Sequence, residues 1–285
     1  MTETPSRRLE LPAPVLLELR GPDAVRYLNG QVTQDVRLAN DQRALTACVT
    51  DAKGKFQFRV LIHTHEGALR VSCDHDGAGE LFARLDRYLI ADDAVLEEIT
   101  SAWRRVHVTG AEPTSGGYAV SVNRIGVPGW DVWLPADEAD PVDELKAWPV
   151  DVSETMRITA GIPAWGSELT AGMLPPEAGL DRSDISYAKG CYIGQEVISR
   201  IKSAGKVNRR LMRLGLPGHI ACAAGDLLVD AEGREAGVLT SVAPHCDERD
   251  DGPRALLGYL KRTAAEGAVF LERMRGQPVA VIAPA

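Results

Sequence analysis

No apolar run in the 285 residues approaches the roughly 20 that a membrane-spanning helix requires, so the sequence predicts no membrane association. Residues 1–10 are polar and lack the apolar stretch of a secretory signal, which predicts a chain made without one. No Cys-x-x-Cys occurs. The five cysteines, Cys48, Cys73, Cys191, Cys222 and Cys246, are odd in number and widely spaced. Neither a zinc ribbon nor a ferredoxin-type cluster is written here, no metal ligands are expected, and the reading is a reducing, cytoplasmic setting. No Gly-x-Gly-x-x-Gly follows a strand and there is no P-loop. A net charge of −8 argues against direct, general nucleic-acid binding.

What is present starts with ordinary globular proportions, 45% hydrophobic and 25% charged residues, in a length that allows two domains or one large one. The most informative segment is residues 189–196, Lys-Gly-Cys-Tyr-Ile-Gly-Gln-Glu. Its glycines, Gly190 and Gly194, permit a bent backbone around Cys191. From Gln195 a short amphipathic helix is expected, with Ile193, Val197, Ile198 and Ile201 on one side and a Glu196–Arg200 pair on another. A thiol just ahead of a helix N-terminus, with Lys189 nearby, is placed where thiolate is favoured. The competing reading is a buried structural cysteine. Six cations follow: Arg200, Lys202, Lys206, Arg209, Arg210 and Arg213, either a solvated face or an anion-binding rim.

The octapeptide resembles the signature of the YgfZ family, folate-binding relatives of the glycine-cleavage T-protein (aminomethyltransferase) that support iron–sulfur proteins. Further blocks follow in the family's order: residues 21–36 (Gly-Pro-Asp-Ala-Val-Arg-Tyr-Leu-Asn-Gly-Gln-Val-Thr-Gln-Asp-Val), 51–55 (Asp-Ala-Lys-Gly-Lys), 157–163 (Arg-Ile-Thr-Ala-Gly-Ile-Pro) and 176–180 (Pro-Glu-Ala-Gly-Leu). The resemblance runs from about residue 13 to 213 and implies tetrahydrofolate as cofactor. It implies Cys191 as essential thiol, and Lys189, Gly190, Tyr192, Gly194, Gln195, Glu196, Arg200 and Thr159 as cofactor-binding residues. Iron–sulfur carrier or client proteins, including tRNA-modifying enzymes, are the implied partners.

The expected fold is α+β: a ferredoxin-like, T-protein-type folate-binding body over residues 9–205, then a small antiparallel β-barrel over 206–285. Strands are read at 15–20, 44–49, 56–62, 69–73, 106–109, 118–122 and 130–134, with helices at 22–29, 79–90 and around 142–148. Barrel strands are read at 210–216, 227–229, 234–241, 255–260 and 278–282. In the strand at 56–62, Phe56, Phe58, Val60 and Ile62 share one face by alternation.

The resemblance also exposes departures. Phe58 stands where the aminomethyltransferase has the aspartate that works on the folate nitrogen, and a phenyl ring cannot take a proton. Thr159 stands at its pterin-binding glutamate, without the charge or bidentate reach of a carboxylate. Pro14 and Ser153 occupy positions of folate-site tryptophans. Trp165 is read as a core or interface tryptophan, with stacking as the alternative, and Glu168 and Glu177 as exposed loop carboxylates. The resemblance, with these departures, therefore implies a folate-binding accessory protein for iron–sulfur cluster assembly or repair, without aminomethyltransferase activity. A cysteine-nucleophile enzyme using Glu196 or one of the six histidines, and a folate-dependent one-carbon transferase, stand as alternatives.

Overall fold

A computed structural model describes residues 6–75, 77–113, 116–205, 207–244, 253–264 and 267–285. Residues cluster into two compact units: Met1–Asn123, Val127–Trp148 and Asp181–Arg200 in the first, Arg124–Gly126, Pro149–Leu180 and Ile201–Ala285 in the second. His245 and Cys246 lie outside the described residues, as does Lys206.

The first unit opens with β1 (Arg7–Leu9), β2 (Val15–Arg20), α1 (Ala24–Gln31), β3 (Leu45–Thr50), β4 (Phe56–His65) and β5 (Ala68–Cys73). It continues with α2 (Leu81–Asp86), β6 (Val95–Glu98), β7 (Trp103–Thr109), β8 (Tyr118–Ser121) and β9 (Gly129–Pro135). A five-stranded antiparallel sheet has the order β3-β4-β5-β2-β6. Strand alternation gives it one apolar face: Ala47 and Val49, Phe58, Val60 and Ile62, Leu69 and Val71, Leu17 and Leu19. Tyr27 and Leu28 of α1 and Leu81 and Leu85 of α2 cover that face. Each such buried side chain contributes about 1.5–3 kcal/mol. The Tyr27 hydroxyl donates to the Leu85 carbonyl, tying the two helices together.

The opposite face is mixed. Leu16 and Leu61 pack with Trp103, Tyr118, Val120 and Trp133 of a four-stranded antiparallel sheet of order β1-β7-β9-β8. Among them Glu18 and Arg70, register partners on β2 and β5, form a buried ion pair at 2.6 Å. His63 of β4 is 1% exposed, bonded through Nε2 to the Tyr118 hydroxyl at 3.1 Å.

The second unit contains α3 (Val150–Ala160), terminated by Gly161, whose φ of +76° lets its N–H reach the carbonyls of Arg157 and Ile158. Its strands are β10 (Arg209–Pro217), β11 (Leu227–Val229), β12 (Glu235–Val242), β13 (Pro253–Lys261), β14 (Val269–Leu271) and β15 (Met274–Pro284). They close into an antiparallel barrel of order β10-β13-β12-β11-β14-β15. Bulges at Arg213/Leu214, Leu228/Val229 and Leu239/Ser241 supply the bending that closure requires. Leu214, Leu216, Leu228, Leu239, Leu256, Leu260 and Leu271 fill the core.

A buried charge network sits beside it. Arg157 of α3 pairs with Glu168 at 3.0 Å and with Glu154 at 2.6 Å, and donates to Ser241 Oγ at 3.0 Å. Ser241 Oγ donates to Glu168 Oε1 at 2.6 Å, and the Tyr259 hydroxyl donates to the Glu168 carbonyl at 2.9 Å.

Several expectations need correction. No α-helix runs through 142–148: a single 3₁₀ turn, Pro141–Glu144, is capped by Asp140, and the helix begins only after Pro149. Proline disfavours helical φ/ψ in the residue before it, here Trp148, so the helix starts beyond that point. The helix read at 79–90 is a 3₁₀ turn, Ala78–Glu80, followed by the short α2. Strands β1, β6 and β14 were not read at all, being three or four residues long and without enough alternation to register. No helix of the described residues is long and apolar enough to cross a membrane.

Burial depresses the His63 pKa from its ordinary 6.5 to about 3, so the native state keeps this ring neutral. Between those values the unfolded chain binds the extra proton, and the His63 contribution makes stability fall as pH drops through 6.5 toward 3. His63→Phe is expected to flatten that slope by up to one proton, about 1.4 kcal/mol per pH unit, as read by urea unfolding across pH.

Candidate functional site

The helix α1 ends at Gln31, and its end leaves carbonyls without intrahelical partners. Lys189 reaches one of them, and two carbonyls just beyond the helix, from the other end of the first unit's sequence. Its Nζ donates to the carbonyls of Asn29 at 2.6 Å, Val32 at 2.8 Å and Gln34 at 2.7 Å. All three ammonium hydrogens are thereby used, and the side chain is buried. Burial pushes its pKa down to about 8, against the opposing effect of Asp35. Lys189 is therefore an anchor, with its ammonium turned to backbone oxygens rather than to the thiol two residues on.

Beyond it, Gly190 and Cys191 are exposed. Tyr192 turns back inward, 7% exposed, packing with Ile185 and Ile198 and lying 5.2 Å under the Lys189 ammonium. Ile193 is fixed at both backbone groups: its N–H donates to Gly30 O at 3.1 Å and its carbonyl accepts from Thr50 Oγ1 at 2.6 Å. Gly194 follows with φ +88°, and a Cβ there would sit 2.5 Å from Asp51 O and 2.8 Å from Gly54 Cα. Only glycine allows this approach, which seats the octapeptide on the 51–55 turn. Gln195 opens α4 (Gln195–Ala204), on which Ile198 is fully buried and the exposed Glu196 and Arg200 pair at 2.6 Å.

A second anchor precedes the octapeptide. Asp184, fully buried, pairs with Arg59 of β4 at 2.7 Å and accepts from Thr46 Oγ1 at 3.0 Å and Ser183 Oγ at 2.6 Å. Its carbonyl accepts from Thr33 Oγ1 at 2.6 Å, and that oxygen accepts from the Cys48 N–H at 2.9 Å. Behind the 51–55 turn, Arg84 of α2 donates to Thr50 O at 3.0 Å, Gln57 Oε1 at 2.8 Å and Gln31 Oε1 at 3.1 Å, with the Tyr88 ring 4.7 Å away. Sequence reasoning missed Asn29, Thr50, Arg59, Arg84 and Asp184. For Asn29, Thr50, Arg59 and Asp184 the only signal was membership of, or nearness to, the blocks at 21–36, 51–55 and 189–196, and Arg84 had none.

Of the residues read as a site, Gly190, Cys191, Glu196 and Arg200 are exposed in this segment of the first unit, Gly194 and Gln195 are half-buried, and Lys189 and Tyr192 are buried. Thr159 belongs to the second unit. It is exposed on α3, and its hydroxyl donates to the Thr155 carbonyl at 2.7 Å. Phe58 lies in the sheet core and stacks on His75 at 5.9 Å. Pro14 is half-buried, and Ser153 is buried with its hydroxyl on the Val150 carbonyl. Trp165 is half-buried rather than a core residue.

Glu168 and Glu177 are not the exposed carboxylates expected. Glu168 is fully buried in the Arg157 network, and Glu177 is mostly covered and paired with Arg209 at 2.9 Å. The cation run is also partly neutralised. Arg200 is held by Glu196, Arg209 by Glu177 and the Tyr259 ring, and Arg213 Nη1 lies 3.4 Å from Thr159 O.

Among the described residues Cys191 is the one exposed cysteine, and no hydrogen bond or ion pair reaches its sulfur. Cys48 and Cys73 are buried, with their thiol pKa values raised by desolvation, that of Cys73 to about 12. Cys222 is half-buried, and its thiol is likewise pushed up. Three of the histidines are occupied elsewhere: His63 with Tyr118, His65 stacked on Tyr118 at 3.7 Å, His107 with Asp131 at 2.8 Å. No group of His, Cys, Asp and Glu among the described residues is arranged to hold a metal ion.

The architecture matches the crystal structure of glycine cleavage system aminomethyltransferase T from Bartonella henselae, with a TM-score of 0.80 over 98% of this chain and 86% of that one, at 17% identity. This is the T-protein fold. The chain is 30% identical over 263 residues to the tRNA-modifying protein YgfZ of Serratia proteamaculans, covering 81% of this chain and 78% of the relative. It belongs to the YgfZ family. It is also 24% identical over 237 residues to the mitochondrial iron-sulfur cluster assembly factor IBA57 homolog of Neurospora crassa. That match takes in 74% of this chain, which spans about half the length of the relative (52%). No family model matches the chain.

Exposure and burial together rank the thiols. Iodoacetamide is expected to modify Cys191 of the native protein at least about 100-fold faster than Cys48 or Cys73, which should react only after unfolding. Time-resolved peptide mass spectrometry checks the order.

Proposed function

We propose that this chain is a folate-binding accessory protein of iron–sulfur cluster assembly or repair, with Cys191 as its essential thiol. The observation that carries the reading is the presentation of Cys191. It is exposed between two inward-turned anchors, Lys189 and Tyr192, in a chain of the YgfZ family whose relatives are named for tRNA modification and for iron–sulfur cluster assembly. Its partners are iron–sulfur carriers and client enzymes, among them enzymes that modify tRNA, in a reducing compartment that keeps the thiol free.

The T-protein fold supports tetrahydrofolate as ligand, but the two aligned polar positions do not fit one-carbon chemistry. Phe58 is an apolar core residue, and the Thr159 hydroxyl proton is committed to Thr155 O. No residue there accepts a proton from folate or steadies a developing charge. Folate in this protein is read as a bound ligand rather than a one-carbon donor. Four candidate bases of the cysteine-nucleophile alternative are engaged elsewhere. Glu196 is engaged with Arg200, and His63, His65 and His107 contact groups on the sheets.

Cys191→Ala is expected to abolish support of cluster-dependent enzymes in cells lacking the wild-type protein. Its melting temperature should stay within about 2 °C, as for an exposed substitution. A large loss of melting temperature would return Cys191 to a packing role, and Cys191-dependent turnover of a small substrate would favour the nucleophile. Titration calorimetry with tetrahydrofolate and its polyglutamate is expected to show saturable one-to-one binding, tighter for the polyglutamate. No heat with either ligand would confine the function to Cys191 and protein partners.

A further inference from the structure

The octapeptide offers eight residues, yet only two of them, Lys189 and Gly194, do something that no other side chain at their positions would do. Lys189 places three N–H donors on the carbonyls of Asn29 in the last turn of α1 and of Val32 and Gln34 just beyond it, at 2.6–2.8 Å. An apolar side chain of the same length would take these donors away, leaving the buried Val32 carbonyl without its Lys189 bond, and buried carbonyls in native proteins are nearly always paired. Gly194 brings its backbone within reach of Asp51 O, Gly54 Cα and Thr50 Oγ1, where a Cβ would lie at 2.5, 2.8 and 2.8 Å. The two anchors are five residues apart and grip different elements, α1 and the β3–β4 turn.

Between them the chain has little slack. Ile193 is bonded at both its N–H and its carbonyl, to Gly30 and Thr50, and Tyr192 is buried. Only Gly190 and Cys191 face solvent, and Gly190 has open space around it. The Thr50 end is fixed in turn by Arg84, which donates to the Thr50 carbonyl while holding Gln31 of α1 and Gln57 of β4.

We infer that Lys189 and Gly194 are positioning residues: a two-point clamp that fixes the Cys191 loop to α1 and to the 51–55 turn, and so sets where the thiol stands. This rests on the reading of Cys191 as the working thiol and adds to it the groups that hold it. Lys189 acts through the backbone of α1 and not on the sulfur. Partner recognition at Cys191 then requires a rigid loop of fixed outline, since a clamped loop has little conformational freedom left to lose when a protein docks on it.

The test uses the full-length chain and two independent variants, Lys189→Met and Gly194→Ala, each followed by hydrogen exchange and by Cys191 alkylation with iodoacetamide. In both, the protection of the Ile193 amide is expected to fall at least about tenfold, while amides of β10 and β13 in the barrel keep wild-type protection. The Cys191 alkylation rate should shift at least about threefold, and that of Cys222, in the barrel unit, should not. A structural role spread through the molecule would move the barrel amides and Cys222 in step, and would overturn the proposal. So would Ile193 protection and Cys191 alkylation that both stay at wild-type values in either folded variant. Neither readout depends on the cellular role of Cys191, so failure of that role in the Cys191→Ala assay and failure of the clamp are separate results.

Discussion

The first unit depends on one ammonium group. A helix as short as α1 exposes carbonyls at its C-terminal end that water would otherwise satisfy, and here a loop is laid over them. Lys189 replaces the water with three short charge-assisted bonds and joins segments 155 to 160 residues apart in sequence. The cost is visible in its lowered pKa, because burial penalises the charged form. Every other contact of the loop is built round this one. Tyr192 lies beneath the ammonium, Ile193 bonds to Gly30, and Gly194 meets the 51–55 turn.

Both units bury charge, and in each case the charge is paired. Asp184 with Arg59, Glu18 with Arg70, and Glu168 with Arg157 are ion pairs with at least one member almost wholly covered. Such pairs add little net stability over apolar residues of the same volume, but breaking one costs about 3–5 kcal/mol because the survivor is left uncompensated. Their effect is therefore to tie elements together in one arrangement. Asp184 binds the loop before the octapeptide to β4, and Glu168 binds the turn after α3 to that helix, to β12 and to β13.

The T-protein scaffold is present, with an apolar ring at position 58 and a helix-bound hydroxyl at position 159. Phe58 is held in the sheet core by strict alternation, and Thr159 has turned its hydroxyl back onto its own helix. A fold carries function only through the site grafted on it. What this chain keeps on that scaffold is a thiol on a braced loop, in a family whose relatives are named for tRNA modification and iron–sulfur assembly.

The local record in the sequence was good where periodicity is strong. The alternation of residues 56–62 gives β4 and its buried face, 15–20 and 227–229 are strands at their read limits, and the Gly-rich octapeptide reads as a bent loop entering an amphipathic helix. The short β1, β6 and β14 escaped, while the equally short 227–229 was read from the turns on either side of it, and Pro149 set the start of α3 beyond the helix read around 142–148. Lys189 was seen, but not its purpose, since nothing local reveals which of 285 residues will present bare carbonyls to it. Likewise Glu168 and Glu177 looked like surface carboxylates until Arg157 and Arg209 were brought beside them. The sequence by itself determined the faces, the turns and the glycine-flanked bend around Cys191, because those follow from side chains and backbone within a few residues. Only the tertiary structure decided which charges are buried and what each one holds, because that depends on partners supplied by distant segments of the chain.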